Sequence, residues 1–251
     1  MNKEETLLRK RLTELSRQAY TKDIVTFSDF LNLNELNILH TTPKDLFPAS
    51  YGTYGGYSPA ERQMVAFLPD ALSYEYQYPM QVIRICPANP RFAEELTHRD
   101  YLGALMNLGV ERGKMGDILL LEGRAEVFVC QKIAEYIAEE LTRVRHTMVK
   151  TEIREVDEIS YEPRFEEIKG TVPSIRLDTV LSTAYPLSRS KMTSYIEAGR
   201  VFVNGKLITS NGYHLKEEDI ISVRGLGKIR YEGMLSETKK KRCLISIKKY
   251  I

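Results

Sequence analysis

The segment from Ser188 to Lys206 leaves the chain little freedom of fold. Ser188-Arg189-Ser190-Lys191 opens a helix, Ile196 continues it, Gly199-Arg200 ends it, and Val201-Phe202-Val203-Asn204-Gly205-Lys206 starts a hairpin at once. Serine is a favoured N-cap, glycine is favoured just past a helix end, and Asn-Gly tolerates the positive φ angles of a two-residue turn. Met192, Tyr195 and Ile196 form the inward stripe of that helix, with Arg189 and Lys191 flanking it in the first turn. The N–H groups of a helix start, with cations beside them, suit a phosphate. RNA is the first partner expected.

The 251 residues carry 36 Lys and Arg against 34 Asp and Glu, but the balance is uneven along the chain. From Ser174 onward there are 15 basic and 7 acidic residues, against 21 and 27 before it. That asymmetry points to a polyanion-binding module attached to an acidic body with another task. Three scattered cysteines, Cys86, Cys130 and Cys243, are too few for a disulfide framework, so a reducing compartment, the cytoplasm, is expected. The N-terminal stretch combines the charged run Asn2-Lys3-Glu4-Glu5 with no apolar core of signal-peptide length, so secretion is not expected, and the longest apolar runs, such as Ile118 to Leu121, are strand-sized. Membrane insertion is not expected.

Four parts of an α+β chain are expected. Residues 1–78 read as mainly helical: Leu8, Leu12, Leu15 and Ala19 recur at helical spacing, and Ser28-Asp29 can cap a second helix carrying Leu33, Leu36 and Leu39. A Tyr/Gly-rich loop from Tyr51 to Tyr57 then leads to Ser58-Pro59-Ala60-Glu61, the pattern of an N-cap, a first-turn proline and a capping-box glutamate, so a short helix is expected there. Residues 79–158 alternate between periods. Val82 to Ile85 reads as a strand and Tyr101, Leu102, Leu105 and Leu108 as a helix; Ile118 to Leu121 and Ala125 to Cys130 form a hairpin; Ile133, Ile137, Leu141 and Val144 mark a second helix, and Met148 to Ile153 a last strand. The order β-α-β-β-α-β is that of a ferredoxin-like domain. Only Phe128 places an aromatic ring on its central strands, so a standard base-stacking platform is not expected. Residues 159–173, with Tyr161-Glu162-Pro163, Glu166-Glu167 and Gly170, read as a linker.

Residues 174–251 read as two helices and a small antiparallel sheet. Ser174 can cap a helix with Leu177, Val180, Leu181 and Ala184 facing a core and Tyr185-Pro186 ending it. Beyond the hairpin, the strand Asp219 to Arg224 leads into Gly225-Leu226-Gly227-Lys228-Ile229-Arg230, and Lys239-Lys240-Lys241-Arg242 reads as a non-specific electrostatic patch.

Arg176-Leu177-Asp178, Ser188-Arg189-Ser190-Lys191, Ile196 with Gly199, Val201 through Asn204-Gly205, and Asp219-Ile220 with Val223-Arg224 together closely resemble the S-four RNA-binding domain, named for a ribosomal small-subunit protein. The long tail after Gly233 departs from a minimal domain of that kind. The resemblance implies that Arg189, Lys191, Arg200, Lys206 and Arg224 face RNA. Residue type and position add Arg176, Ser188, Asn204, Lys228 and Arg230 to the expected RNA-binding set. His98-Arg99-Asp100-Tyr101-Leu102-Gly103-Ala104-Leu105, Gly116-Asp117-Ile118, Gly55-Gly56-Tyr57 and Ala60-Glu61-Arg62 resemble the YlmH-type proteins, commonly encoded in bacterial cell-division gene clusters. That resemblance implies a cytoplasmic, non-catalytic RNA-binding protein acting on the ribosome, with structured RNA, rRNA or tRNA, as its partner.

No catalytic set assembles from the sequence. Arg176-Leu177-Asp178 superficially matches the aspartate motif of pseudouridine synthases, but Thr179-Val180-Leu181-Ser182 continues a helix stripe rather than an active-site loop. Lys191-Met192-Thr193-Ser194 resembles the signature lysine loop of tyrosyl-tRNA synthetases without the companion histidine motif, and His98-Arg99-Asp100 resembles a kinase catalytic loop without a glycine-rich phosphate loop. His40, His98, His146 and His214 are too dispersed for a metal site, and no cofactor is expected. His98 and Asp100 are the best catalytic candidates by residue type. The rival readings are an RNA-modifying enzyme with a site in the middle domain and a cell-division scaffold whose acidic body binds a protein partner.

Overall fold

The computed structural model describes residues 3–58, 60–70, 75–158, 161 and 163–251. The chain divides into two units, residues 1–161 and 162–251.

The first unit opens with helix α1 (Lys3–Lys22), whose Leu12, Ser16 and Ala19 are buried, followed by strand β1 (Thr26–Phe27) and helix α2 (Leu33–Thr41). The cap of α2 is Asn32 rather than Ser28-Asp29. Its side chain accepts from Glu35 N at 3.1 Å while Glu35 returns a bond to Asn32 N at 2.7 Å, a complete capping box. Ser28 instead bonds Val65 N with its hydroxyl, at 2.9 Å. Strands β2 (Ser50–Tyr54) and β3 (Met64–Leu68) join β1 in a sheet of order β1-β3-β2, so this portion is less purely helical than the periodicity suggested. Half of the tyrosine-rich segment is strand. The short helix expected after Ser58 does not form: Ser58 lies in a turn, Pro59 is outside the described residues, and Asp117 takes the amides of Glu61 and Arg62 at 2.6 and 3.1 Å. Those amides already have a carboxylate cap from across the fold.

Strand β4 (Met80–Pro87), helix α3 (His98–Asn107), strands β5 (Met115–Leu121) and β6 (Arg124–Cys130), helix α4 (Ala134–Glu140), and strands β7 (Arg143–Val144) and β8 (Thr147–Arg154) form the middle of this unit. Their sheet is antiparallel in the order β5-β6-β4-β8-β7, the ferredoxin-like arrangement with a short extra strand at one edge. Helix α4 ends at Glu140, so Val144, placed on that helix by its spacing, comes from β7. One face of the sheet packs Ile83, Ile85 and Val127 against Tyr101 and Leu105 of α3 and Ile137 of α4. The other packs Val82 and Phe128 against Phe30 and Met64 of the N-terminal part. Burial on both faces explains the unbroken apolar run of β6. Phe128 is fully buried and stacks on Tyr57 at 5.3 Å, and Gly56 (φ 96°) lies so close that an added Cβ would come within 2.2 Å of its ring. No base can reach it.

The second unit contains strand β9 (Phe165–Val172), helices α5 (Leu177–Ala184) and α6 (Arg189–Glu197), and strands β10 (Val201–Val203), β11 (Lys206–Leu207), β12 (Ile220–Val223), β13 (Gly227–Glu237) and β14 (Cys243–Tyr250). The sheet runs β11-β10-β12-β13-β14-β9. Residues 165–172 are therefore not linker: β9 pairs with β14 from Phe165↔Tyr250 to Val172↔Cys243. The strand escapes a periodicity search because charged residues alternate outward while its inward row is Ile168, Gly170 and Val172. Gly170 is needed there, since a Cβ would sit 2.3 Å from the Thr183 methyl of α5. The tail after Gly233 completes the β13–β14 hairpin, turning through Lys241 (φ 55°). The two helices cover one face of this sheet, with Leu177, Leu181, Met192 and Ile196 meeting Val201, Ile221, Ile229 and Ile247. Arg176, not Ser174, occupies the cap position of α5; the Ser174 carbonyl accepts from the Thr179 hydroxyl at 2.7 Å.

Candidate nucleic-acid interface

The starts of α5 and α6 are joined by one carboxylate. Asp178 is buried and accepts from Arg176 Nε at 3.2 Å and from Arg189 Nε at 2.7 Å. A buried carboxylate is costly unless it is paired. Pairing leaves the arginines usable, because each guanidinium has five donors, and their side chains stay 36% and 52% exposed. Ser188 caps α6, its hydroxyl accepting from Lys191 N at 3.3 Å. This serine therefore holds the helix start, while the Lys191 side chain projects into solvent.

The far end of α6 carries a second pair. Gly199 takes φ 67° and turns the chain into β10, and Arg224 N donates to Arg200 O at 2.9 Å. The Arg200 guanidinium lies over the Tyr195 ring at 5.4 Å and that of Arg224 over Phe202 at 5.3 Å, which restrains two exposed cations without neutralising them. In the hairpin, Asn204 and Gly205 have φ 48° and 77°. The Asn204 amide donates to Asp219 Oδ1 at 2.8 Å and accepts from Ile220 N at 2.9 Å, so both of its ends are engaged within the fold. Lys206 follows it, exposed, on β11.

Lys228 and Arg230 lie apart from the cations at the start of α6, on the side of the sheet that also carries Arg224 over Phe202. They lie on β13 with Ile229 and Tyr231 turned to the core between and beside them, which puts both on the sheet face away from α5 and α6. Lys228 sits 5.9 Å from the Tyr250 ring, and Arg230 lies over Phe165 at 5.7 Å. Arg230 is paired with Glu232 and, at 3.5 Å, with Glu218. The hydrogen bond that Arg230 donates to the Glu232 carboxylate pushes its guanidinium further up. Burial pushes the Glu232 carboxyl up, but the bonds from Arg230 and Lys248 outweigh it and hold the group below its ordinary range. Much of the Arg230 charge is thus already matched. The sequence did not disclose Lys248 and Phe165 in this network, nor the Arg189–Asp178 bond, which spans eleven positions.

In the first unit, His98 and Asp100 diverge. Asp100 accepts from the Thr97 hydroxyl and amide at 2.7 and 2.8 Å and faces Arg145, and the two bonds hold its carboxyl below the ordinary range. His98 is pushed down by burial and by the Arg112 charge, with Asp117 opposing. Arg62, largely buried, donates to the carbonyls of Phe30, Arg112 and Met115, and Tyr57 donates to Asp117 at 2.8 Å. These bonds join the Gly55-to-Arg62 loop to β5, a structural use of the motifs there. Among the described residues no group of three or more His, Cys, Asp or Glu side chains could hold a metal ion, and no helix is long and apolar enough to cross a membrane.

Comparison with known proteins matches this geometry to a family. Residues 74–169 match the family described as "Putative RNA-binding domain in YlmH", and residues 175–221 match the S4 domain. A Bacillus subtilis (strain 168) protein named "Ribosome-associated protein quality control protein P2" is 30% identical over 200 residues, 78% of this chain and 76% of that protein. An "Uncharacterized RNA pseudouridine synthase MG209 homolog" of Mycoplasma pneumoniae is 50% identical over 58 residues, 23% of this chain and 19% of that protein. The solved structure "Cell division protein ylmH from Streptococcus pneumoniae" aligns with a TM-score of 0.50 at 23% identity, covering 63% of this chain and 95% of that one, and shows a shared fold. With its S4 domain and the extent of its likeness to the Bacillus protein, this chain belongs to the YlmH family.

Proposed function

We propose that this chain is a non-catalytic, cytoplasmic RNA-binding protein that acts on the ribosome in translation or its quality control. The C-terminal unit grips structured RNA, large-subunit rRNA or tRNA, through Arg176, Arg189, Lys191, Arg200, Lys206 and Arg224. The observation that carries this reading is Asp178: one buried carboxylate fixes two solvent-reaching arginines, Arg176 at the start of α5 and Arg189 at the start of α6. Cations held in place at a helix start suit backbone phosphates, which fix position more than sequence. Ser188 and Asn204 hold this surface in shape, while the charge of Arg230 is largely matched by Glu232 and Glu218. The Bacillus relative's name supports a ribosomal setting.

The rival reading, an RNA-modifying enzyme, draws on the pseudouridine synthase relative, but that likeness reaches only 19% of that protein. The aspartate that superficially fits its motif, Asp178, is buried in two ion pairs and is poorly placed to attack a base. Crosslinking in cells followed by sequencing of the bound RNA tests the proposal. Enrichment of large-subunit rRNA or tRNA is expected, and a crosslink profile matching total cellular RNA would overturn it.

A further inference from the structure

The first unit carries a cleft of about 360 Å³ that the RNA-binding reading does not use. Tyr54, Tyr76 and Tyr78 line it together with Glu155 and Asp157, which come just after β8. The rings are set at angles rather than stacked on one another: Tyr54 and Tyr76 stand 5.5 and 5.9 Å from Tyr78, with interplanar angles of 54° and 56°. Phe27 backs Tyr78 at 5.6 Å, which fixes the middle ring from behind. Tilted rings present several π-faces to one space, and Tyr54 is 41% exposed. Glu155 is oriented by a bond from Gln81 Nε2 at 2.8 Å.

Ring faces and carboxylates are both attractive to a cation, whereas the carboxylates repel a phosphate backbone. A guanidinium satisfies both kinds of lining group, lying flat on a ring while its N–H fork reaches a carboxylate. We propose that this cleft binds a cationic side chain, arginine foremost, presented by a basic segment of a protein partner. The acidic body is then a protein-docking element, distinct from the basic unit that meets RNA.

Hexa-arginine peptide is the probe, titrated into the full chain by isothermal calorimetry. Tyr54→Leu removes a ring and no charge, and should weaken the peptide about fivefold. Tyr54→Phe keeps the ring while losing the bond from the tyrosine hydroxyl to Gly56 O, and should bind as the unsubstituted protein does. Glu155→Gln with Asp157→Asn should also weaken binding severalfold. Equal affinity for the unsubstituted protein and Tyr54→Leu would overturn the proposal, because general attraction to an acidic surface is indifferent to that ring. Displacement of the peptide by a uridine hexanucleotide, lost in Tyr54→Leu, would overturn it in favour of a base-binding cleft.

Discussion

Arg189 Nε lies 2.7 Å from Asp178 Oδ2, a bond from the first turn of α6 to the first turn of α5. An exposed cation is thereby tied to the core of the C-terminal unit. Asp178→Asn should cost about 2 kcal/mol, the low end for a broken charge pair because both arginines reach water. Denaturant unfolding of the full chain measures this. The same substitution adds a net positive charge, yet RNA affinity should fall because Arg189 loses its anchor. A rise in affinity would show that charge alone matters and that the anchor does not.

Asn204 separates holding from contact. Its positive φ and its bonds to Asp219 and Ile220 indicate that Asn204→Ala should lose about 2 kcal/mol of stability, combining left-handed strain with lost hydrogen bonds. The slope of RNA affinity against salt should stay unchanged. Lys206→Ala should do the reverse, leaving stability alone and reducing the slope by about one. Binding titrations across a salt series distinguish the two.

Strand β9 makes a prediction about fragments. Residues 162–251 should fold alone, with Val172 and Ile168 covered, whereas residues 174–251 lack the strand that closes the sheet beside β14. Losing that burial costs roughly 2 kcal/mol, which in a domain of this size lowers the melting temperature by about 10 °C. Thermal unfolding of both fragments by circular dichroism checks this, and equal melting temperatures would show that β9 adds nothing.

Much of this fold could be read from local signals. Asn204-Gly205 and Gly199 act through their own backbone and the Ser188 hydroxyl through an amide three residues on, so the hairpin and the helix ends were visible in the sequence. The four main strands and two helices of the middle domain were visible through their apolar spacing. What escaped was set by distant partners. Ser58 to Glu61 read as a helix start, but the Asp117 carboxylate that takes the amides of Glu61 and Arg62 lies more than fifty positions away. Phe165–Val172 read as linker because its pairing with β14 is equally remote. At the candidate interface, residue type identified the cations but not their partners: Arg230 looks like Arg224 in sequence and falls on the same side of the sheet, and its pairing with Glu232 and Glu218 separates them. The anchoring role of Asp178 toward Arg189 was hidden for the same reason.

The central claim is that fixed cations on α6 and the β10–β11 hairpin contact phosphates. The most direct test measures binding of the full chain to a structured rRNA fragment across a salt series, beside the Arg189→Ala/Lys206→Ala double variant. Each lost phosphate contact removes close to one unit of the log-log slope, so the variant should be flatter by about two. A slope identical to that of the unsubstituted protein would contradict the claim and place the RNA on another surface.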